Sequence, residues 1–273
     1  KELNQLGYGQ EYQIKYTLDP VDATASLLTW TSDNPDMISV DKTGKLKVHT
    51  TKAASAVITA SYGPVVQNVT VTVADGRFWY SLGNGLGNGL DNNWYLDGNN
   101  ASVVSSDGNK TTVQMGSGYR GDLWLARSGK GKIVNVTPAD YRYFAIKVGF
   151  KSQLVPGKNK PNGCIKLEIF DDGIKKIGPE YFGTGGDANN RYEILGASEI
   201  STTEPNVLYY DLQSKYKTVT PTDWNQVFDL SQCKFVIADF PETAQTYDLY
   251  WIRSFKSIEE LQAFVDSENN TNE

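Results

Sequence analysis

Short runs in which apolar and polar residues alternate with a period of two dominate this chain, separated by clusters of Gly, Asn, Asp, Ser and Pro. "EYQIKYTL" at 11–18 puts Tyr12, Ile14 and Tyr16 on one face of a predicted half-buried strand. "AVITASYGPVVQNVTVTV" at 56–73 predicts two strands joined by a hairpin at Gly63-Pro64. Further strand-like runs recur at about 101–106, 111–115, 122–127, 132–137, 142–151, 164–171, 191–195, 206–213, 233–240 and 246–255. No helical crossover lies between them, so the strands are expected to pair antiparallel. Helical spacing surfaces only at the end. There Ser257 and Glu260 form a capping box, and Ile258, Leu261 and Phe264 recur at helical intervals. One short C-terminal helix and an acidic, frayed tail are the expectation.

The pattern divides the chain into two segments, 1–75 and 76–273. The first is compact in its punctuation: "WTSDNP" at 30–35, "ISVDKTGKL" at 38–46, "AVITA" at 56–60 and "VTVTV" at 69–73 follow one another in order. In that order, across positions 7 to 74, the segment resembles the bacterial immunoglobulin-like group 2 domain. The resemblance implies a small immunoglobulin-like sandwich with Trp30 in its core and Asp41 and Gly44 in a turn. It brings no catalytic residue, and implies a spacer or presentation module of a surface or secreted bacterial protein.

The second segment is richer in Gly and aromatics, and about ten strands in its length suit a two-sheet sandwich. "DYRYFAIKVGF" at 140–150, "YYDLQSK" at 209–215 and "CKFVIADF…YDLYWIRSFKSIEELQAF" at 233–264 look like the galactose-binding-like sandwich domains of surface glycan-binding lipoproteins in polysaccharide-utilisation systems. The implied architecture is all-β: an immunoglobulin-like sandwich, then a larger antiparallel β-sandwich of jelly-roll type with a short C-terminal helix. The implied role is non-catalytic binding of a polysaccharide or oligosaccharide. The implied location is extracytoplasmic, lipid-anchored at the outer membrane surface or periplasmic, with an outer-membrane transport partner. That group has no fixed binding motif to carry over, so a site must be argued from the residues.

Composition narrows the chemistry. A net charge of −6 argues against nucleic acid or an anionic membrane as partner, and "SGKGK" at 128–132 reads as a turn. No apolar stretch is long enough for a transmembrane segment. The single histidine, His49, lies in the first segment on a predicted strand surface, which leaves no base for a Ser-His-Asp or Cys-His nucleophile and no usual zinc set. Cys164 and Cys233 each fall in a strand-like run, and their spacing does not decide whether they pair. Glu168, Asp171 and Asp172 are the carboxylates to weigh for a glycosidase, but "EIFDD" lacks the E-x-D-x-x-E pattern of sandwich-fold hydrolases, and Asp172-Gly173 signals a hairpin turn. Asp211 and Asp239 sit inside apolar strands, where a hydrogen-bonded structural carboxylate and a calcium ligand both stay open.

The run "SLGNGLGNGLDNNWYLDG" at 81–98 is the most unusual stretch. It lacks the Lys and the following Ser or Thr of a phosphate loop, and its glycines miss the dinucleotide-binding spacing. Asn84-Gly85 and Asn88-Gly89 are turn signals. What remains is aromatic rings interleaved with carboxamides, the composition that matches the C–H faces and rim hydroxyls of sugars. Trp94, Tyr95, Asn92 and Asn93 from this run form the candidate carbohydrate site with Tyr119, Arg120 and Trp124 from "SGYRGDLW" at 117–124, and Asp122 as a polar partner. Alternation turns one ring of each adjacent pair, Trp79-Tyr80 and Trp94-Tyr95, toward the core. Trp224 is a further loop aromatic, and Trp251 is expected in the core. A structural or protein-docking module without glycan, and a glycoside hydrolase on a sandwich, are the competing readings.

Overall fold

The computed structural model describes residues 2–21, 23–50, 52–86, 94–97, 101–115, 120–125, 134–136, 140–151, 165–171, 174–177, 192–212, 228–230, 232–238 and 245–271. Two units divide after Tyr80.

The first unit, Lys1–Tyr80, is built from β1 (Glu2–Tyr8), β2 (Glu11–Gln13), β3 (Thr29–Ser32), β4 (Ile38–Val40), β5 (Lys45–Val48), β6 (Ala54–Tyr62) and β7 (Val65–Ser81), the last running one residue past the division. β3, β6 and β7 pair antiparallel, and β2, β5 and β4 form a second sheet. Leu6, Ile38, Leu46, Val48, Ala56, Ile58, Val71 and Val73 pack as one buried cluster. The hairpin falls where the sequence puts it: Tyr62 pairs with Val65, and Gly63 takes a φ of 56° that glycine adopts at no steric cost.

Three expectations for this unit change. β1 pairs with β7 in parallel, which no period in "ELNQLGY" announces, because two register shifts separate Leu3, Leu6 and Tyr8 by unequal steps. Gly7 lets the strand approach: a Cβ there would stand 3.0 Å from Arg77 Cγ and Trp79 Cβ. "EYQIKYTL" forms only three strand residues, because its partner β5 begins at Lys45, after a turn in which Asp41 Oδ1 accepts from the Thr43 and Lys45 amides. Trp30 is half-buried rather than a core plug, lying over Gly44 and 5.5 Å from the exposed ring of Tyr16. His49 follows β5, with its Nε2 2.7 Å from Ser39 Oγ.

The second unit, Ser81–Glu273, holds β8 (Trp94–Asp97), β9 (Ser102–Ser106), β10 (Thr111–Gln114), β11 (Arg120–Leu125), β12 (Val134–Val136), β13 (Tyr143–Phe150), β14 (Ile165–Asp171), β15 (Ile174–Ile177), β16 (Glu193–Ile194), β17 (Asn206–Asp211), β18 (Phe228–Leu230), β19 (Gln232–Ala238), β20 (Thr246–Phe255) and α1 (Ile258–Thr271). One layer runs β16-β17-β13-β20 and continues into β10 and β9; the other runs β15-β14-β19-β11-β8. Phe235 on β19, fully buried, meets Phe144 on β13 at 5.6 Å and Tyr210 on β17 at 6.0 Å, so the two layers close face to face. Among the described residues this unit has thirteen strands; β8, β15 and β18 are the short ones the alternation does not resolve. The architecture is all-β with one C-terminal helix, and no described helix is long and apolar enough to cross a membrane.

α1 starts at the predicted cap: Glu260 N–H donates to Ser257 Oγ, while the Glu260 carboxylate accepts from the amide of Lys256, one residue before the cap. It does not fray where the acidic tail begins. Phe264 packs 5.5 Å from Trp251 and 5.7 Å from Phe255, and Glu268 accepts from Trp251 Nε1 and Lys147 Nζ, each at 3.1 Å. Trp251 is buried as expected, but beneath α1, on the sheet face opposite Phe144.

A carboxylate inside β20 carries a pH dependence. Asp248, 6% exposed, accepts from Lys110 Nζ and Thr112 Oγ1, both at 2.6 Å. Burial alone raises its pKa, but the bonds to Lys110 and Thr112 and the nearby ammoniums outweigh it and hold the carboxyl below its ordinary 3.8. Because the folded value is the lower one, this stabilisation is present above the unfolded pKa and is lost as pH falls through the folded one. Asp248→Asn is therefore expected to cost about 2 kcal/mol at neutral pH. Thermal melts from pH 7 to pH 2 should show a constant gap to wild type above about pH 5 that closes in more acid solution. A gap that persists at pH 2 would contradict the assignment.

Candidate functional site

The glycine run splits into two parts with different roles. Its first half is a structural clamp. Gly83 and the turn after it lie against the β9–β10 hairpin: the Gly108 amide donates to Gly83 O at 3.0 Å. A Cβ on Gly83 would stand 2.2 Å from the Gly108 carbonyl oxygen and 2.7 Å from the Asn109 nitrogen. Thr111, fully buried, ties the two turns together. Its hydroxyl donates to Leu82 O, receives the Gly85 amide at 3.0 Å and lies 2.9 Å from Ser106 Oγ. Gly85 takes a φ of 96°.

The second half feeds β8, and here the candidate residues come together. β8 pairs with β11 so that Tyr95 stands opposite Trp124, Trp94 opposite Leu125, Leu96 opposite Leu123 and Asp97 opposite Asp122. Leu123 is fully buried and pairs on its other side with Phe235, which fixes the inward face of this sheet. Alternation from Leu123 assigns the positions of Trp94, Leu96 and Leu125 to that inward face. It assigns Tyr95, Asp97, Arg120, Asp122 and Trp124 to the opposite face. Tyr95 is half-buried there. Across β19 and β14 the same row continues with Lys234 opposite Trp124, and Glu168 opposite Lys234.

Of the sequence-predicted residues, Tyr95, Arg120 and Trp124 thus share one face of two adjacent strands, with Asp122 among them, while Trp94 occupies the other face. Asn92, Asn93 and Tyr119 lie outside the described residues, as do Trp224, Asp172, Asp239 and Cys164. Cys233 is an inward-face position opposite Leu125 and Ile169. The Trp79-Tyr80 pair divides as alternation requires: Tyr80 is buried, and Trp79 is half-buried beneath the Arg77 guanidinium at 4.6 Å.

Of the remaining carboxylates, Asp211 is a structural support. Asp211 holds Arg142 through two bonds, to Nε at 2.6 Å and Nη2 at 2.5 Å. Of the two roles open to it, the structural one describes that geometry. Alternation assigns the positions of Glu168 and Asp171 to opposite faces of β14. Among the described residues no three His, Cys, Asp or Glu converge as a metal site. Sequence reasoning missed Asp97, Lys234 and Asp248. A signal existed for each: Asp97 alternates with Tyr95, and Lys234 and Asp248 are charges inside apolar strands, the feature that singled out Asp211.

A family model described as a domain of unknown function, DUF4979, matches residues 85–261. No curated protein matches the chain significantly. Among solved structures, a bacterial Ig-like domain-containing GH10 xylanase from termite gut is 23% identical over 27% of this chain and 18% of its own, with a TM-score of 0.21. The CBM51-2 and INT domains of ZmpB from Clostridium perfringens are 12% identical over 93% of this chain and 47% of theirs, with a TM-score of 0.25. Domains 4 and 5 of the S-layer protein SbsC are 10% identical over 90% of this chain and 74% of theirs, with a TM-score of 0.20. The chain spans less than half the length of the first two. With TM-scores this low these are partial likenesses.

Proposed function

The chain belongs to the DUF4979 family, a domain of unknown function, and from that premise we propose that it binds a polysaccharide or oligosaccharide without chemistry, in an extracytoplasmic, cell-surface setting. The observation that carries this reading is the register of β8 and β11, which sets Tyr95 opposite Trp124 and surrounds that pair of positions with Asp97, Asp122 and Arg120 on one sheet face. Aromatic rings match the apolar faces of pyranoses, while carboxylate and guanidinium groups match vicinal hydroxyls, often with two bonds each. Such a site needs no metal and no general acid. Aromatic and Arg positions are also where binding energy concentrates in interfaces generally.

The test is calorimetry and affinity electrophoresis against a panel of neutral, acidic and amino polysaccharides. At least one is expected to bind. Tyr95→Ala and Trp124→Ala should each weaken binding about tenfold or more, equivalent to about 1.4 kcal/mol. Circular dichroism and the melting temperature should show the fold intact. Wild-type protein that binds no member of the panel would sink the proposal.

A further inference from the structure

We infer that this face takes an internal stretch of an uncharged polysaccharide chain, laid across the strands along the row Tyr95, Trp124, Lys234 and Glu168. The inference rests on the glycan-binding reading and specifies its ligand. Two observations carry it. The first is the row. Tyr95 pairs with Trp124, Trp124 with Lys234, and Lys234 with Glu168, so the four positions stand side by side on β8, β11, β19 and β14. Neighbouring strands lie about 4.8 Å apart, so the row extends about 14 Å perpendicular to the strands. That is a strip rather than a point. β8 is the end strand of this sheet among the described residues, so the two aromatic positions stand at one end of the strip.

The second observation is the charge balance. On these four strands the face carries Arg120, Lys166 and Lys234 against Asp97, Asp122 and Glu168, with no net charge. Selecting a polyanionic glycan takes an excess of Lys and Arg, and these four strands carry none; Lys175 on β15, opposite Phe170, adds one cation at the far edge. Charges of both signs, distributed along a strip with two aromatic positions at one end, instead supply donors and acceptors for successive hydroxyls of a neutral chain. Asp97 and Asp122 stand directly opposite each other, and like charges in that relation destabilise a sheet. Two acceptors beside the aromatic pair are what a sugar diol uses.

The experiment measures affinity for oligosaccharide ladders. Neutral xylo-, manno-, gluco- and galacto-oligosaccharides and an oligogalacturonate series are titrated by calorimetry, from disaccharide upward. Affinity for one neutral series is expected to rise at least tenfold with length and then level off. Lys234→Ala and Glu168→Ala are expected to weaken the long members severalfold and the disaccharide less, whereas Trp124→Ala weakens every length. The wild-type ladder needs no variant to fold, so it stands alone as a test. A neutral disaccharide that binds as tightly as the longest member, or a preference for oligogalacturonate, overturns this inference and leaves glycan binding in place. Long members held equally by wild type, Lys234→Ala and Glu168→Ala overturn it in the same way. No binding of any length overturns both.

Discussion

Phe235→Ala is expected to cost about 3–5 kcal/mol, the range for deleting a buried aromatic ring whose surroundings relax only partly. Phe235 is fully buried on β19, the middle strand of the five-stranded layer, and its ring meets Phe144 and Tyr210 from the other layer. Alanine there leaves a void between the layers that neither backbone can close without shifting its register. The adjacent substitution, Lys234→Ala, provides the contrast. By alternation Lys234 belongs to the opposite face, and its loss is expected to change stability by no more than about 0.5 kcal/mol. Denaturant titration of the two variants therefore reads the face assignment on which the glycan strip depends. Similar losses from both variants would mean that Trp124 and Tyr95 are not on an outward face.

The second large effect belongs to the glycine run. Gly83→Ala brings a Cβ to 2.2 Å from the Gly108 carbonyl oxygen and 2.4 Å from its carbon, and both are backbone atoms with no rotamer to yield. The turn must move away from the β9–β10 hairpin, and the bonds that converge on Thr111 from Leu82 and Gly85 are stretched with it. Overpacking with backbone displacement costs about 3 kcal/mol, which in a unit of this size lowers the melting temperature by about 6–12 °C. Gly108→Ala is the control. It has the positive φ of 91° but nothing within 4 Å of the new Cβ, so it is expected to cost only about 1–2 kcal/mol. Scanning calorimetry separates the two. If Gly108→Ala proves the more damaging, close approach is not what Gly83 is for.

These residues also show how much could be read before the fold was known. Alternation in "YFAIKVGF" and "DLYWIRSF" located β13 and β20, and the split of Trp79 from Tyr80 followed from period alone. The capping box placed the start of α1 at the correct residue. Its end was not legible, because Glu268 is held by Trp251, 17 residues away, and by Lys147, 121 residues away. β1 escaped notice because its two irregularities erase the period that marks a strand. For the candidate site, the residue types were visible in "DNNWYLDG" and "YRGDLW", but their relation was not.

The sequence by itself determined an all-β chain of two segments, a helix at its end and the residue types from which a sugar platform would be made. Those are local properties: period, turn chemistry, capping and composition act within a few residues. The tertiary structure decided which of those residues meet. Only the pairing of β8 with β11 sets Tyr95 opposite Trp124, separates Trp94 from both, and adds Lys234 and Glu168 to the row. A one-residue slip in that register would exchange the faces, and what pins it is the packing of Leu123 and Phe235 in the core.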